Sequence, residues 1–128
     1  LGAFSRNLRT EIKSGRKIYF YDNGIRNALI GNLSPIDMRA DIGILWENYM
    51  VSELLKKNSY DLTYAKPYFW RTTQQQEVDY IEECDGRMKA YEFKWNPTKK
   101  AKISKTFLGA YPDVEVKTIT RENYMEIL

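Results

Sequence analysis

The amino-acid sequence predicts an α/β fold: a mixed sheet flanked by helices, with one long, largely buried helix packed on it. Three observations predict it. Residues 76 to 95, QEVDYIEECDGRMKAYEFKW, read as two strands joined by a tight turn. A stretch from Ser34 to about Lys57 carries apolar residues at helical spacing. After the hairpin, a short helical segment precedes a further strand, the order expected where a chain crosses over to extend a sheet.

In chain order, LGAFSRNLRTEIKSGR (residues 1–16) is mixed and basic and reads as a lead-in, or the end of a linker from an upstream region. The folded domain is expected over 17–128. Lys17 to Tyr21, KIYFY, reads as a strand. Asp22 offers an N-cap for a short helix over Asn23 to Ile30, and Gly31 offers its stop. The long helix is expected to start at a Ser34 cap, with Pro35 in its first position and Asp37 at its positive end. Met38, Ile42, Leu45 and Tyr49 form one apolar stripe, and Ile44, Val51 and Leu55 another. DLTYAKPYFWRT (61–72) reads as strand broken at Pro67, which belongs at an edge or bend. Thr72 to Gln75 is a polar connection. A short helix over Lys102 to Tyr111 stops at Pro112, and Val114 to Ile119 is a last strand. Thr120 with Asn123 begins a helical turn, and Glu126 to Leu128 adds a little strand.

The central hairpin fixes a register. Asp85-Gly86 suits a two-residue turn because both positions favour positive φ. Such a turn pairs Cys84 with Arg87, and then Asp79 with Glu92 and Glu77 with Lys94. Opposed residues share a face, with Cβ atoms about 4.5–5.5 Å apart. Two carboxylates directly opposite repel. A shared proton, the nearby Lys94 or a hard divalent cation such as Mg²⁺ or Mn²⁺ would offset the repulsion. A solvated face with ordinary acid–lysine pairing is the simpler alternative. Glu47 is a second anomaly. Its neighbours three and four positions away are Gly43, Ile44, Met50 and Val51, none charged. A carboxylate among apolar groups must be protonated, paired or metal-bound, unless it reaches solvent past Gly43.

Composition narrows the classes of function. The 128 residues are enough for one domain with a real core, and 43% hydrophobic content suits it. The chain opens on Leu1 rather than Met, which fits a piece of a longer protein. No apolar run reaches the length of a membrane span and no signal peptide is visible, so no membrane association is expected. A lone cysteine, Cys84, makes no internal disulfide, and a cytoplasmic location is the expectation. With no histidine, Ser-His-Asp and Cys-His catalysis and His-ligated zinc are excluded. The absence of a GxxxxGK[ST] loop excludes a P-loop nucleotide site in this chain. A net charge of +3 permits nucleic acid as partner without requiring it. Arg71 reads first as a structural ion pair and second as a phosphate contact. Lys99, Lys100 and Lys102, with Lys105 beyond, read as solvated surface or as contacts to a polyanion beside the acidic residues.

Glu47 on a helix, Asp79 on one strand and Glu92-Phe93-Lys94 on the next resemble the pattern of the PD-(D/E)XK nuclease superfamily. More narrowly, KIYFYDNGIRNAL, DIGILWENYMVSELLK, YFWRTTQQQEVDYI, AYEFKW and FLGAYPDVEVKTI resemble the uncharacterised C-terminal domain attached to bacterial and archaeal AAA-type ATPases. One departure is visible: Val78, not proline, precedes Asp79. The resemblance implies a restriction-endonuclease-like core and metal-dependent hydrolysis of DNA phosphodiesters. Asp79, Glu92 and Glu47 would hold Mg²⁺ or Mn²⁺. Lys94 would position or deprotonate the attacking water or stabilise charge on the phosphate. It also implies an upstream ATPase domain in the full-length protein and leaves oligomerisation open. The alternative function is a catalytically inactive module of the same fold, used for protein or nucleic-acid binding or for ATPase assembly. Under a third reading the acidic cluster only stabilises the fold.

Overall fold

A computed structural model describes residues 1–4, 15–100 and 102–128. It has a five-stranded mixed sheet in sequence order, β1 (Gly2–Ala3), β2 (Lys66–Arg71), β3 (Glu77–Cys84), β4 (Arg87–Phe93) and β5 (Glu115–Ile119). β1 runs parallel to β2 and β5 parallel to β4, while β3 runs antiparallel to both β2 and β4. The helices are α1 (Asn23–Ile30), α2 (Ile42–Tyr60) and α3 (Lys105–Ala110). The hairpin is central, as the sequence predicts. Asp85 and Gly86 have φ of 52° and 75°, and Cys84 faces Arg87. Among the described residues no helix is long and apolar enough to cross a membrane.

The core lies on both faces of the sheet. On one face, Trp46, Met50, Val51 and Leu54 of α2 pack on Tyr80, Tyr91, Phe93 and Ile119. On the other, Phe107 of α3 packs with Phe4, Trp70, Val78, Ile81 and Ala90. Each fully buried large side chain contributes about 1.5–3 kcal/mol. Alternation along β4 sends Ala90 to one cluster and Tyr91 to the other.

β3 breaks that alternation. Tyr68 faces Ile81 but Trp70 faces Val78, so Asp79 and Tyr80 occupy the interval that Phe69 alone spans on β2. This is a β-bulge. In consequence Val78 and Ile81, three positions apart, both enter the α3-side cluster, while Tyr80 enters the α2-side cluster.

Several expected elements are corrected. Residues 1–4 are not a lead-in: Gly2 and Ala3 pair with β2 and Phe4 is buried. Residues 5–14 of that stretch lie outside the described residues. Lys17 to Tyr21 is not a strand. Its backbone bonds to a side chain and a chain end instead. Phe20 N–H donates to Asn48 Oδ1 at 2.8 Å, Asn48 Nδ2 donates to the Phe20 carbonyl at 2.7 Å, and Lys17 N–H donates to the Leu1 carbonyl at 2.8 Å.

The long helix starts at Ile42, not after Ser34. Pro35 begins only a 3₁₀ turn over Ile36–Met38, and Arg39 is extended, with φ −102° and ψ 137°. Met38 and Ile44 of the expected stripes are exposed. α1 has its expected bounds, capped by Asp22 and closed by Gly31 at φ 71°. β2 keeps Pro67 inside it, where β1 no longer runs alongside: β1 reaches only Tyr68 and Phe69. α3 is shorter than expected because Ser104 caps it, accepting from Thr106 N–H at 3.1 Å. The tail is a 3₁₀ turn over Tyr124–Ile127, not strand.

Candidate metal and phosphate site

The bulge and α2 together build an acidic cluster. Glu47, Glu77 and Asp79 each offer a carboxylate oxygen within 4.8 Å of the others. Glu47 comes from the second turn of α2, while Glu77 and Asp79 stand two apart on β3. The sequence-predicted trio was Glu47, Asp79 and Glu92, so Glu77 replaces Glu92 in this set. Glu77 and Asp79 at period two was the available signal for a shared face.

Asp79 and Glu92 do meet, in a different way from the expected direct opposition. The paired ladder between β3 and β4 ends at Tyr80 and Tyr91. Beyond it each carboxylate takes a backbone donor from the other strand. Asp79 N–H donates to Glu92 Oε1 at 3.1 Å, and Phe93 N–H donates to Asp79 Oδ2 at 2.9 Å. Backbone dipoles therefore supply part of the compensation that the sequence reading assigned to a proton, a lysine or a cation. Glu77 does not face Lys94. It pairs with Arg71 of β2, and Lys94 N–H donates to the Ile119 carbonyl at 2.9 Å.

Two residues that the sequence reading left out complete the cluster. Lys17 Nζ hydrogen-bonds to Glu77 and lies 3.4 Å from Glu47 Oε1. Tyr19 OH donates to Glu47 Oε2 at 3.1 Å. Glu47 is thus paired from a segment far away in sequence, which its helix neighbours could not reveal.

The electrostatics follow from burial and crowding. Burial, then the Asp79 charge, push the Glu47 carboxyl up to about 7 against the pull of Lys17. Burial, then the Glu92 charge, push Asp79 up to about 6, opposed by the Phe93 N–H. Glu92 is also raised, by burial, against the Asp79 N–H and Lys94. Burial would raise Glu77 too, but the bond and charge of Lys17, aided by Arg71, outweigh it and hold Glu77 below the usual range. Burial pulls Lys17 down, yet Glu77, Glu47 and Asp79 leave it above an ordinary lysine. Tyr19 is pushed well above an ordinary phenol by burial and by Glu47.

The lysines surround this cluster. Lys94 and Lys99 line a depression of about 480 Å³ with Glu47 and Asp79. Lys94, Lys99, Lys100 and Lys102 line an adjoining one with Glu77, Asp79 and Glu92. Lys99, Lys100 and Lys102 are exposed. Arg71 is an ion-pair residue: its Nε and Nη2 each approach Glu77 Oε2 at 3.1 Å, and its guanidinium lies over Phe69.

The fold and site together define an α/β domain that sets a carboxylate cluster beside a rank of lysines. Residues 42–125 match the family described as a domain of unknown function, DUF4143, and the chain belongs to that family. It is 27% identical over 113 residues to an uncharacterized protein of Mycobacterium bovis and, to the same extent, to an uncharacterized protein of Mycobacterium tuberculosis. The match covers 86% of this chain and 24% of each relative, so the chain spans about a quarter of their length. No solved structure matches.

Proposed function

We propose that this chain is a nuclease-like domain of the PD-(D/E)XK type, hydrolysing DNA phosphodiesters with Mg²⁺ or Mn²⁺ and attached to an AAA-type ATPase. Domains of this family are found at the C-terminus of AAA ATPase-like proteins, which supports the attachment. The observation that carries the chemistry is the gathering of Glu47, Glu77 and Asp79 within 4.8 Å beside Lys94. An all-carboxylate donor set fits a hard divalent cation. Asp79, Glu47 and Glu77 would hold it, with Glu92 alongside fixing the Asp79 backbone. The cation would supply Lewis acidity and a hydroxide near neutral pH. Lys94 would hold the phosphate and offset its developing charge. Lys99, Lys100 and Lys102 would contact flanking phosphates, fixing position rather than sequence.

One observation favours the second reading, a non-catalytic module that binds protein or nucleic acid. Lys17 places an ammonium against Glu47 and Glu77, where a cation would otherwise sit. The test is cleavage of supercoiled plasmid and single-stranded DNA with Mn²⁺ and then Mg²⁺, comparing wild type with Asp79→Asn and Lys94→Ala. Metal-dependent nicking lost in both variants is the expected result. Absence of cleavage together with absence of Mn²⁺ binding by calorimetry would leave the binding module.

A further inference from the structure

Another depression adjoins the one lined by Glu47, Asp79 and Lys94. It measures about 470 Å³ and is walled by aromatic rings: Trp46 and Tyr49 of α2, Trp95 after β4 and Tyr124 of the tail. Ile42, Leu45, Trp46 and Tyr49 recur at helical spacing, so one stripe of α2 supplies a whole wall. Gly43, Ile44 and Glu47 on the neighbouring stripe line the acidic depression. Ile42 and Trp95 line both.

Trp46 is the fixed floor. It is 6% exposed, and its Nε1 donates to the Ile119 carbonyl at 3.3 Å. Its ring centroid lies 5.7 Å from that of Tyr49, 5.5 Å from that of Trp95 and 5.4 Å from that of Tyr124. These three rings are only half-buried, so each keeps some surface outside the core. Arg121, exposed at the rim, holds its guanidinium 5.1 Å from the centre of the Trp95 ring. A preformed aromatic hollow with a cation at its edge suits a flat ring attached to an anion.

The shared wall narrows the ligand further. Lys94 and Lys99 line the acidic depression, and Trp95, next to Lys94 in the chain, joins it to the aromatic one. A molecule spanning Trp95 would set phosphate against the lysines and a ring against Trp46. Each unit of a nucleic-acid strand has that form. Duplex bases are stacked and paired, whereas bases of a single strand are free to splay onto aromatic side chains.

We propose that the hollow walled by Trp46, Tyr49, Trp95 and Tyr124 takes an unstacked base of single-stranded nucleic acid, provided that Lys94 holds the adjoining phosphate as the proposed function requires. Fluorescence anisotropy tests it with two labelled strands of equal length, oligothymidylate and its abasic counterpart, which carry the same phosphates. Ca²⁺ stands in for Mn²⁺, so that binding is read without cleavage. Oligothymidylate is expected to bind about 5- to 150-fold more tightly than the abasic strand, the range of one stacked base. Tyr124→Leu and Tyr49→Leu are each expected to narrow that ratio several-fold while leaving abasic binding unchanged, which also shows that the variants are folded. Lys94→Ala is expected to weaken both strands alike. Equal affinity for the two strands, with both weakened by Lys94→Ala, overturns the base site and leaves the phosphate site standing. Discrimination that Tyr124→Leu abolishes and Lys94→Ala does not touch upholds the base site and removes the phosphate from Lys94. Binding of neither strand overturns both.

Discussion

Lys17 and Glu77 are 60 positions apart in sequence and form a hydrogen-bonded ion pair at the centre of the acidic cluster. Lys17 is the cluster's built-in counter-cation, and a metal would compete with it. Lys17→Met is therefore expected to tighten Mn²⁺ binding several-fold by titration calorimetry. In metal-free buffer at pH 8 the same variant should lose about 1–3 kcal/mol by chemical denaturation, since the pair is only partly exposed. Weaker Mn²⁺ binding in the variant would mean that Lys17 supports the metal rather than opposing it.

Asp79→Asn removes a charge while keeping an acceptor for the Phe93 N–H. In chelator at pH 7.5 its melting temperature should equal or exceed that of wild type. Asp79→Ala leaves that N–H without its partner and should cost about 1–3 kcal/mol. With Mn²⁺ added, wild type should gain stability and Asp79→Asn should not. Thermal melts with and without metal separate these outcomes. A large loss in metal-free Asp79→Asn would assign the carboxylate a purely structural role.

Stability without metal should fall as pH rises from about 4 to 7 through the contributions of Glu47 and Asp79. Both bind protons more tightly folded than unfolded, with values near 7 and 6, so the folded state is favoured at the acid end of that window. Glu77, held below its usual range, contributes in the opposite sense and only at lower pH. Melting temperatures in chelator at pH 5.5 and 7.5 check the sign. Stabilisation by Mn²⁺ should run the other way and be larger at pH 7.5, because ligand carboxylates must shed their protons.

Asn48 holds the extended segment that delivers Lys17 and Tyr19. Asn48→Leu would leave two backbone groups of Phe20 without their partner and should cost about 2–4 kcal/mol in denaturant unfolding. Released from Glu47, Tyr19 should ionise at lower pH, visible in the ultraviolet titration of the tyrosines. An unchanged titration would mean that Tyr19 keeps its bond to Glu47 without the Asn48 clamp.

Replacing Lys99, Lys100 and Lys102 together by Ala should weaken DNA binding across sequences. The slope of log affinity against log salt should shrink by about 2–3 if all three contact duplex phosphates. Fluorescence anisotropy over a salt series measures it. An unchanged slope returns the three lysines to solvated surface.

The turn at Asp85-Gly86, the caps of α1 and the Cys84–Arg87 register were legible because each depends on φ preferences or capping groups within a few residues. The late start of α2 was not. Asp41 sits at the cap position, but its carboxylate is taken by Arg26 and Arg39, and one of those partners lies 15 residues upstream.

At the site, the sequence by itself determined that Glu47 and Asp79 were anomalous and that Lys94 and the basic run lay near them. Glu47 lacked a partner within its own helix, and the hairpin register brought Asp79 against Glu92. Only the tertiary structure decided what resolves those anomalies. A one-residue bulge ends the simple alternation of β3, Glu77 joins the cluster, and Lys17 and Tyr19 arrive on a strap pinned by Asn48. Turn and helix signals are carried by neighbours along the chain, whereas the charge balance of a buried cluster is a sum over groups that meet only after folding.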